Sequence, residues 1–334
     1  MQQEMQDQPI VSSRQEQKTA IAIANPTAGS YTQRQSQIED TMRYLREHGW
    51  DIELKLTQAQ GDAGKFTHEA VQQGLDVVVA IGGDGTINEV IQELAGSNTA
   101  LAVLPGGTVN VWARETGISL DIMEAREVLL HGQMCRIDLG KVNERYFLLM
   151  ATIGFDAEVT HAVEKNPVKR LGVIAYVVWG TCFGFGYRDF HADLKSEGKN
   201  KHFHALQLVF GNTQLYAGKI KFTEHAKFDD GKLDVCVVRS TTILGRLGIL
   251  VDFVLRRPER RQWVYTEMAN TIEVRTSKAV AIQVDGDPAE HTTANGSPTV
   301  IAVVPDALKV LVPQHLPEAL FCAHKTHSLT ADKA

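Results

Sequence analysis

Apolar and polar positions follow two rhythms along the 334 residues. In the first third, short apolar runs alternate with longer amphipathic stretches. Thr19–Ala24, Asp51–Leu56, Val77–Ile81 and Leu101–Leu104 read as strands. Gln33–His48, Ala63–Gln73 and Ile87–Leu94 read as helices, with Gly49 and Gly74 as stops, and a further helix ends near Glu115. Strand–helix alternation of this kind predicts a parallel sheet covered on both faces.

Near Cys135 the texture changes. Arg136–Val142, Tyr146–Ala151, His202–Phe210, Leu233–Val238, Thr271–Arg275, Val280–Val284, Thr299–Val304 and Lys309–Val312 all read as strands. Turns such as Asn143-Glu144 and Asp229-Asp230-Gly231 separate several of them, which predicts an antiparallel sandwich or barrel. The fold expected is therefore an α/β domain over 18–134 followed by a β-rich domain over 135–315. Residues 1–17, polar and Gln-rich, and residues 316–334 read as tails.

Composition narrows the partners. A net charge of −6 argues against nucleic acid. The four cysteines are scattered, with no Cys-x-x-Cys pair, which fits a reducing cytosol. The N-terminus lacks the apolar region of a secretory signal. Val168–Phe185 is the most apolar long stretch, but Lys169, Arg170 and several glycines interrupt it. A spanning helix needs roughly 20 predominantly apolar residues, so this segment reads as buried or surface-docked. Cytoplasmic placement is the expectation.

The strongest chemical signal is Val77–Ile81 running into Gly82-Gly83-Asp84-Gly85-Thr86, with Ile87-Asn88-Glu89-Val90 behind. Buried strand, tight turn and helix start make a phosphate site of backbone N–H groups at the positive end of a helix. Asp84 suits a metal ion or a proton beside those phosphates. Asn88 stands where a dinucleotide fingerprint needs its third glycine, and Phe66 follows Gly64-Lys65 where a Walker A loop needs Ser or Thr. Two further turns, Asn25-Pro26-Thr27-Ala28-Gly29 and Pro105-Gly106-Gly107-Thr108-Val109-Asn110, also follow apolar strands. In an open parallel sheet all three share one edge, where a nucleotide could bind.

In these turns the chain resembles the diacylglycerol kinase catalytic-domain family, which includes sphingosine kinases and the YegS-type soluble bacterial lipid kinases. The resemblance runs through Thr57 with Gly61-Asp62-Ala63 and Arg136-Ile137-Asp138-Leu139-Gly140. It continues through Gly154-Phe155-Asp156-Ala157, Gly211-Asn212, Asp229-Asp230-Gly231-Lys232-Leu233-Asp234 and Gln283-Val284-Asp285-Gly286-Asp287. The Gly-Gly-Asp-Gly-Thr turn is shared with NAD kinases; the later motifs favour lipid kinases.

The resemblance implies ATP between the domains, held by Asn25, Thr57, Gly82, Gly83, Asp84, Gly85, Thr86, Ile87, Asn88 and Thr108. It implies transfer of a phosphoryl group to a hydroxyl of diacylglycerol or a related lipid. Asp84, Asp285 and Asp287 are the catalytic candidates, and the choice of general base between Asp84 and Asp287 is open. Asp287 stands where the family has Glu in Asp-Gly-Glu, and Val111 stands where the family has a Mg²⁺-organising Asp. Asp84 and Asp138 remain for that ion. A structural Mg²⁺ or Ca²⁺ is implied at Lys227, Asp230 and Lys232, the lysines through their carbonyls.

A lipid substrate implies contact with a membrane surface. Val168–Phe185, and Ile243–Leu255 with Arg256, Arg257, Arg260 and Arg261 behind it, are the candidate segments. The protein is thus expected to be peripheral at the inner membrane surface, with a homodimer left open. Two other readings stand beside the lipid kinase: a kinase of a soluble acceptor such as NAD, and a nucleotide- or lipid-binding regulator weakened by Val111.

Overall fold

Six consecutive buried residues, Val77–Gly82, form the middle of a parallel sheet in a computed structural model. Residues 18–26, 31–164, 187–216, 220–242, 245–246 and 263–322 are described. The strands are β1 (Lys18–Ala24), β2 (Trp50–Leu56), β3 (Val77–Gly82) and β4 (Ala100–Pro105), in the spatial order β2-β1-β3-β4. Their pairings are all parallel. Between them run α1 (Tyr31–Glu47), α2 (Asp62–Gln72) and α3 (Asp84–Leu94), and α4 (Val111–Thr116), α5 (Ile122–Ala125) and α6 (Glu127–His131) follow. β1, β3 and β4 read as almost unbroken apolar runs because both faces are covered.

From β5 (Gln133–Val142) onward the strands pair antiparallel. They are β6 (Arg145–Phe147), β7 (Met150–Gly154), β8 (Phe190–Ser196), β9 (Lys199–Gly211), β10 (Leu215–Tyr216), β11 (Ile220–Lys221) and β12 (Leu233–Arg239). The last five are β13 (Val264–Ala269), β14 (Thr271–Thr276), β15 (Ala281–Val284), β16 (Asp287–His291) and β17 (Thr299–Val312). Among the described residues, helix α7 (Phe155–Glu164) interrupts them. The α/β-then-β architecture expected from the sequence is thus the one observed.

Strand β17 joins the halves. Its first part pairs antiparallel with β14, and Val310 pairs parallel with Leu101 of β4. A register shift between Val304 and Leu308, with Asp306 at φ 51°, divides it. Ala307, Leu308, Val310, Leu311 and Val312 pack in the same core as the parallel strands. The expected strands Thr299–Val304 and Lys309–Val312 are therefore one bulged strand. A separate core fills the antiparallel half around Phe147, Phe190, Phe210 and Ile272.

The structure also departs from the expected elements elsewhere. The strand expected over Tyr146–Ala151 breaks at Leu148-Leu149, because those N–H groups point at a carboxylate described below rather than at a neighbouring strand. Helix α3 begins at Asp84, so most of the glycine turn is the first turn of a helix. Strands β8, β13 and β16 and helix α7 had no counterpart in the pattern reading. Residues 1–17, Thr27, Ala28, Gly29, Val168–Phe185, Arg256, Arg257, Arg260, Arg261 and almost all of Ile243–Leu255 lie outside the described residues. Among those described, no helix is long and apolar enough to cross a membrane.

Candidate active site

Two glycine turns interlock at the carboxyl ends of β3 and β4. Gly106 N donates to Gly82 O at 2.8 Å. A Cβ on Gly107 would lie 2.5 Å from Gly83 Cα, and one on Gly82 would lie 2.5 Å from Thr86 Oγ1. At Gly107 glycine is required because backbone passes against backbone, and at Gly82 because the Thr86 side chain fills the space. Asn110, at φ 51°, clamps the second turn: its Oδ1 accepts from Gly107 N at 2.9 Å and its Nδ2 donates to Gly107 O at 2.8 Å. Gly83 caps α3 in an extended conformation, so the positive end of an 11-residue helix opens at Asp84.

Asp84 is half-buried, and its Oδ1 accepts from Val111 N at 2.9 Å. Burial pushes its pKa up to about 6, and the nearby charge of Asp285 adds to the rise against the backbone donors. Val111 buries its own side chain in the core while lending this N–H.

The antiparallel half brings the other carboxylates. Val284 and Asp287 pair across a two-residue turn, with Asp285 at φ 50° and Gly286 at φ 89°. These angles match the type I′ hairpin turn that Asp-Gly favours. The Asp285 carboxylate is buried and accepts four hydrogen bonds. Leu149 N and Met150 N reach Oδ1 at 2.9 Å each, while Leu148 N at 2.8 Å and Asn88 Nδ2 at 3.0 Å reach Oδ2. Burial raises its pKa and the donors oppose the rise. Asp287, one turn residue on, differs in kind: its side chain is 41 % exposed and lies 3.5 Å from an Arg145 guanidinium nitrogen. That guanidinium also donates to Asn88 Oδ1 at 3.0 Å and to Pro288 O at 3.1 Å.

Asn88 is therefore the hinge pin of the arrangement. It sits one helical turn after Asp84 and spends its amide on Asp285 and Arg145. Arg145 was not among the sequence candidates. It follows the polar turn Asn143-Glu144, and its importance comes from partners far away in the chain. Glu89 was also missed as a side chain; its Oε2 accepts from Gly61 N at 3.1 Å, tying α3 to the turn before α2.

The remaining candidates fall at strand ends or in a separate loop. Asn25 follows β1, Thr57 follows β2 with its N–H on Ala24 O at 2.9 Å, and Thr108 is exposed on the second glycine turn. Asp138 lies on β5. Its carboxylate accepts from Gly231 N at 2.6 Å and Asp306 N at 2.9 Å. Asp230 shares the loop with Lys227 and Lys232 and accepts from Lys232 N at 3.0 Å. Burial raises its pKa, and the Lys232 N–H and charge oppose the rise. Among the described residues no group of three or more His, Cys, Asp or Glu side chains could hold a metal ion.

Comparison with known proteins shows the family and the fold. Residues 19–142 match the family model described as the diacylglycerol kinase catalytic domain. Residues 150–312 match the YegS C-terminal NAD kinase beta sandwich-like domain. A diacylglycerol kinase of Staphylococcus saprophyticus is 31% identical over 81% of this chain and 89% of that protein. A protein of Chromohalobacter salexigens named "Probable lipid kinase YegS-like" is 29% identical over 83% of this chain and 89% of its own length. The crystal structure of a diacylglycerol kinase from Bacillus anthracis superposes with a TM-score of 0.72 at 25% identity, covering 89% of this chain and 97% of that one.

Proposed function

This chain belongs to the diacylglycerol kinase catalytic family and is a lipid kinase, and on that premise we propose that it moves the γ-phosphoryl group of ATP onto a hydroxyl of diacylglycerol or a related lipid. The observation that carries this reading is the 3.0 Å bond between Asn88 of the glycine-turn helix and Asp285 of the hairpin turn. The bond supports the reading because it ties a helix start suited to phosphate to the hairpin turn that carries the exposed carboxylate of Asp287, a pairing that phosphoryl transfer would use.

ATP would lie along the strand ends, with its phosphates at Gly82–Asn88 and contacts from Asn25, Thr57 and Thr108. The substrate half would be 135–315. Asp287 would accept the proton of the attacking hydroxyl, because its carboxylate is exposed while that of Asp285 is buried under four donors. Asp285 would then position rather than react. Arg145 would hold Asp287 in place and leave positive charge near the transferring group. The interlocked glycines supply the close backbone approach that phosphates need.

Asp84 is the carboxylate beside the glycine turn, and Mg²⁺ is commonly held by one or two carboxylates together with substrate phosphates. When bound there, the ion would neutralise phosphate charge. A structural Mg²⁺ or Ca²⁺ at Lys227, Asp230 and Lys232 would offset the burial of Asp230. Because its acceptor is a lipid, the protein would work peripherally at a membrane surface, on the cytoplasmic side where ATP is found.

The test is transfer from labelled ATP and Mg²⁺ to a panel of diacylglycerol, phosphatidylglycerol, sphingoid bases, ceramide and NAD. Label in diacylglycerol or another lipid supports the reading. Label in NAD alone would refute it, and ATP binding without transfer would favour the regulator.

A further inference from the structure

A second buried carboxylate, Asp156 at the start of α7, is connected to the hairpin turn. Three side chains donate to it. Thr152 Oγ1 and Gln283 Nε2 reach its Oδ2 at 2.9 and 3.1 Å, and the Tyr216 hydroxyl reaches its Oδ1. None of these donors is a cation, so among the described residues the carboxylate is held by neutral dipoles, in a setting where burial raises its pKa.

Gln283 passes this on. Its amide is used at both ends: Nε2 goes to Asp156, and Oε1 accepts from Gly286 N at 2.5 Å. Gly286 is the second central residue of the turn that carries Asp287. The ladder of a two-residue hairpin leaves its central N–H groups to find other partners. Here Met150 O takes that of Asp285 at 2.9 Å and Gln283 takes that of Gly286. The direction of the Gln283 amide is fixed, since a backbone N–H can meet only its oxygen.

At the other end of the series, Tyr216 lies on the two-stranded ribbon β10–β11, outside the main sheet. The residues before it are tied to α4. The Thr213 hydroxyl, Gln214 N and Leu215 N all donate to Glu115 Oε1, the first two at 2.6 and 3.1 Å. Helix α4 is the element whose first N–H meets Asp84. One short segment, Thr213–Tyr216, is thus linked to the glycine-turn carboxylate on one side and to the hairpin turn on the other.

We propose that Tyr216, Asp156 and Gln283 are positioning residues that hold the Asp285-Gly286-Asp287 turn in register for phosphoryl transfer. The inference rests on the reading of Asp287 as the proton acceptor. A misplacement of about 1 Å at a reacting group can cost of the order of a hundredfold in rate. The effect should therefore fall on kcat and leave ATP binding alone.

The experiment compares kcat and KM in the full chain. Gln283→Glu sets one carboxylate against another, and should lower kcat about tenfold or more while KM for ATP stays within about twofold. The double variant Asp156→Asn/Gln283→Glu reverses donor and acceptor and should recover most of that loss. Tyr216→Phe removes only the hydroxyl and keeps the ring against Phe222, so it reports even if Gln283→Glu does not fold. It should lower kcat about threefold or more with KM for ATP within about twofold, measured where the variant is still folded. Parental kcat in Tyr216→Phe, or a double variant no better than Gln283→Glu, would overturn the relay while an active parent keeps the lipid-kinase reading. A parent that labels no lipid would overturn both.

Discussion

Asn88 Nδ2 and Asp285 Oδ2 meet at 3.0 Å although 197 positions separate them in the chain. The bond fixes the first helix after the glycine turn against the hairpin of the antiparallel half. It also completes the set of donors around a carboxylate that has no cation of its own in that set. Removing one partner of such a buried group costs more than the bond itself contributes.

Asp285→Asn should therefore be severe. The new amide turns a donor toward backbone N–H groups and loses about 2–4 kcal/mol of stability. Transfer should fall by about a hundredfold with it. Denaturant unfolding of parent and variant measures the first effect; a change under about 0.5 kcal/mol would show that the four-donor anchor does not matter.

Asp84 should couple stability and activity to pH in opposite senses. Its folded pKa, about 6, lies above the ordinary 3.8. The folded state thus holds this proton more tightly than the unfolded chain. The stability it contributes is full below about pH 4 and is lost as the pH rises through about 6. Asp84→Asn should abolish transfer yet raise stability at pH 8, by at most about 3 kcal/mol, with no gain at pH 4. Thermal unfolding at the two pH values checks the sign.

Arg145→Lys keeps a positive charge near Asp287 but cannot reproduce the fork to Asn88 and Pro288 O. The expected result is about a tenfold lower kcat with ATP affinity unchanged, read by steady-state kinetics and nucleotide titration. A raised KM for ATP with full kcat would place Arg145 on the nucleotide instead.

Two alanine substitutions separate contact from composition in the glycine turns. Gly107→Ala brings a Cβ within 2.5 Å of Gly83 Cα, whereas a Cβ on Gly85 meets nothing within 4 Å. The first should destabilise by about 1–3 kcal/mol and weaken ATP binding. The second should fold like the parent. Equal behaviour of the two in thermal unfolding would contradict the interlocked turns.

Much of the parallel half was legible because strands buried on both faces read as plain apolar runs, as in Val77–Ile81. The glycine turns were legible for a related reason: only close backbone approach explains so many glycines at strand ends. The antiparallel half was harder. β8 alternates buried Phe190, Ala192 and Leu194 with exposed His191, Asp193 and Lys195, a weaker signal than a run. β16 contains Pro288, which an edge strand tolerates and a pattern reading rejects. The carboxylates Asp84, Asp285 and Asp287 could be picked out by motif. Their division into a buried anchor and an exposed group could not, because it depends on N–H groups from Leu148–Met150 and on Arg145. No local pattern announces a partner on another strand.

The last strand also sets a timetable. Among the described residues, β4 pairs at its outer edge with β17 alone. On the ribosome, β4 is complete about 200 residues before Val312 has been added. At roughly 5–20 residues per second that leaves about 10–40 s with an apolar edge unpaired. During that interval the nascent chain offers a template for wrong pairing, and chaperone capture would be most useful then. The first half is therefore not a module that finishes folding before the second half is made.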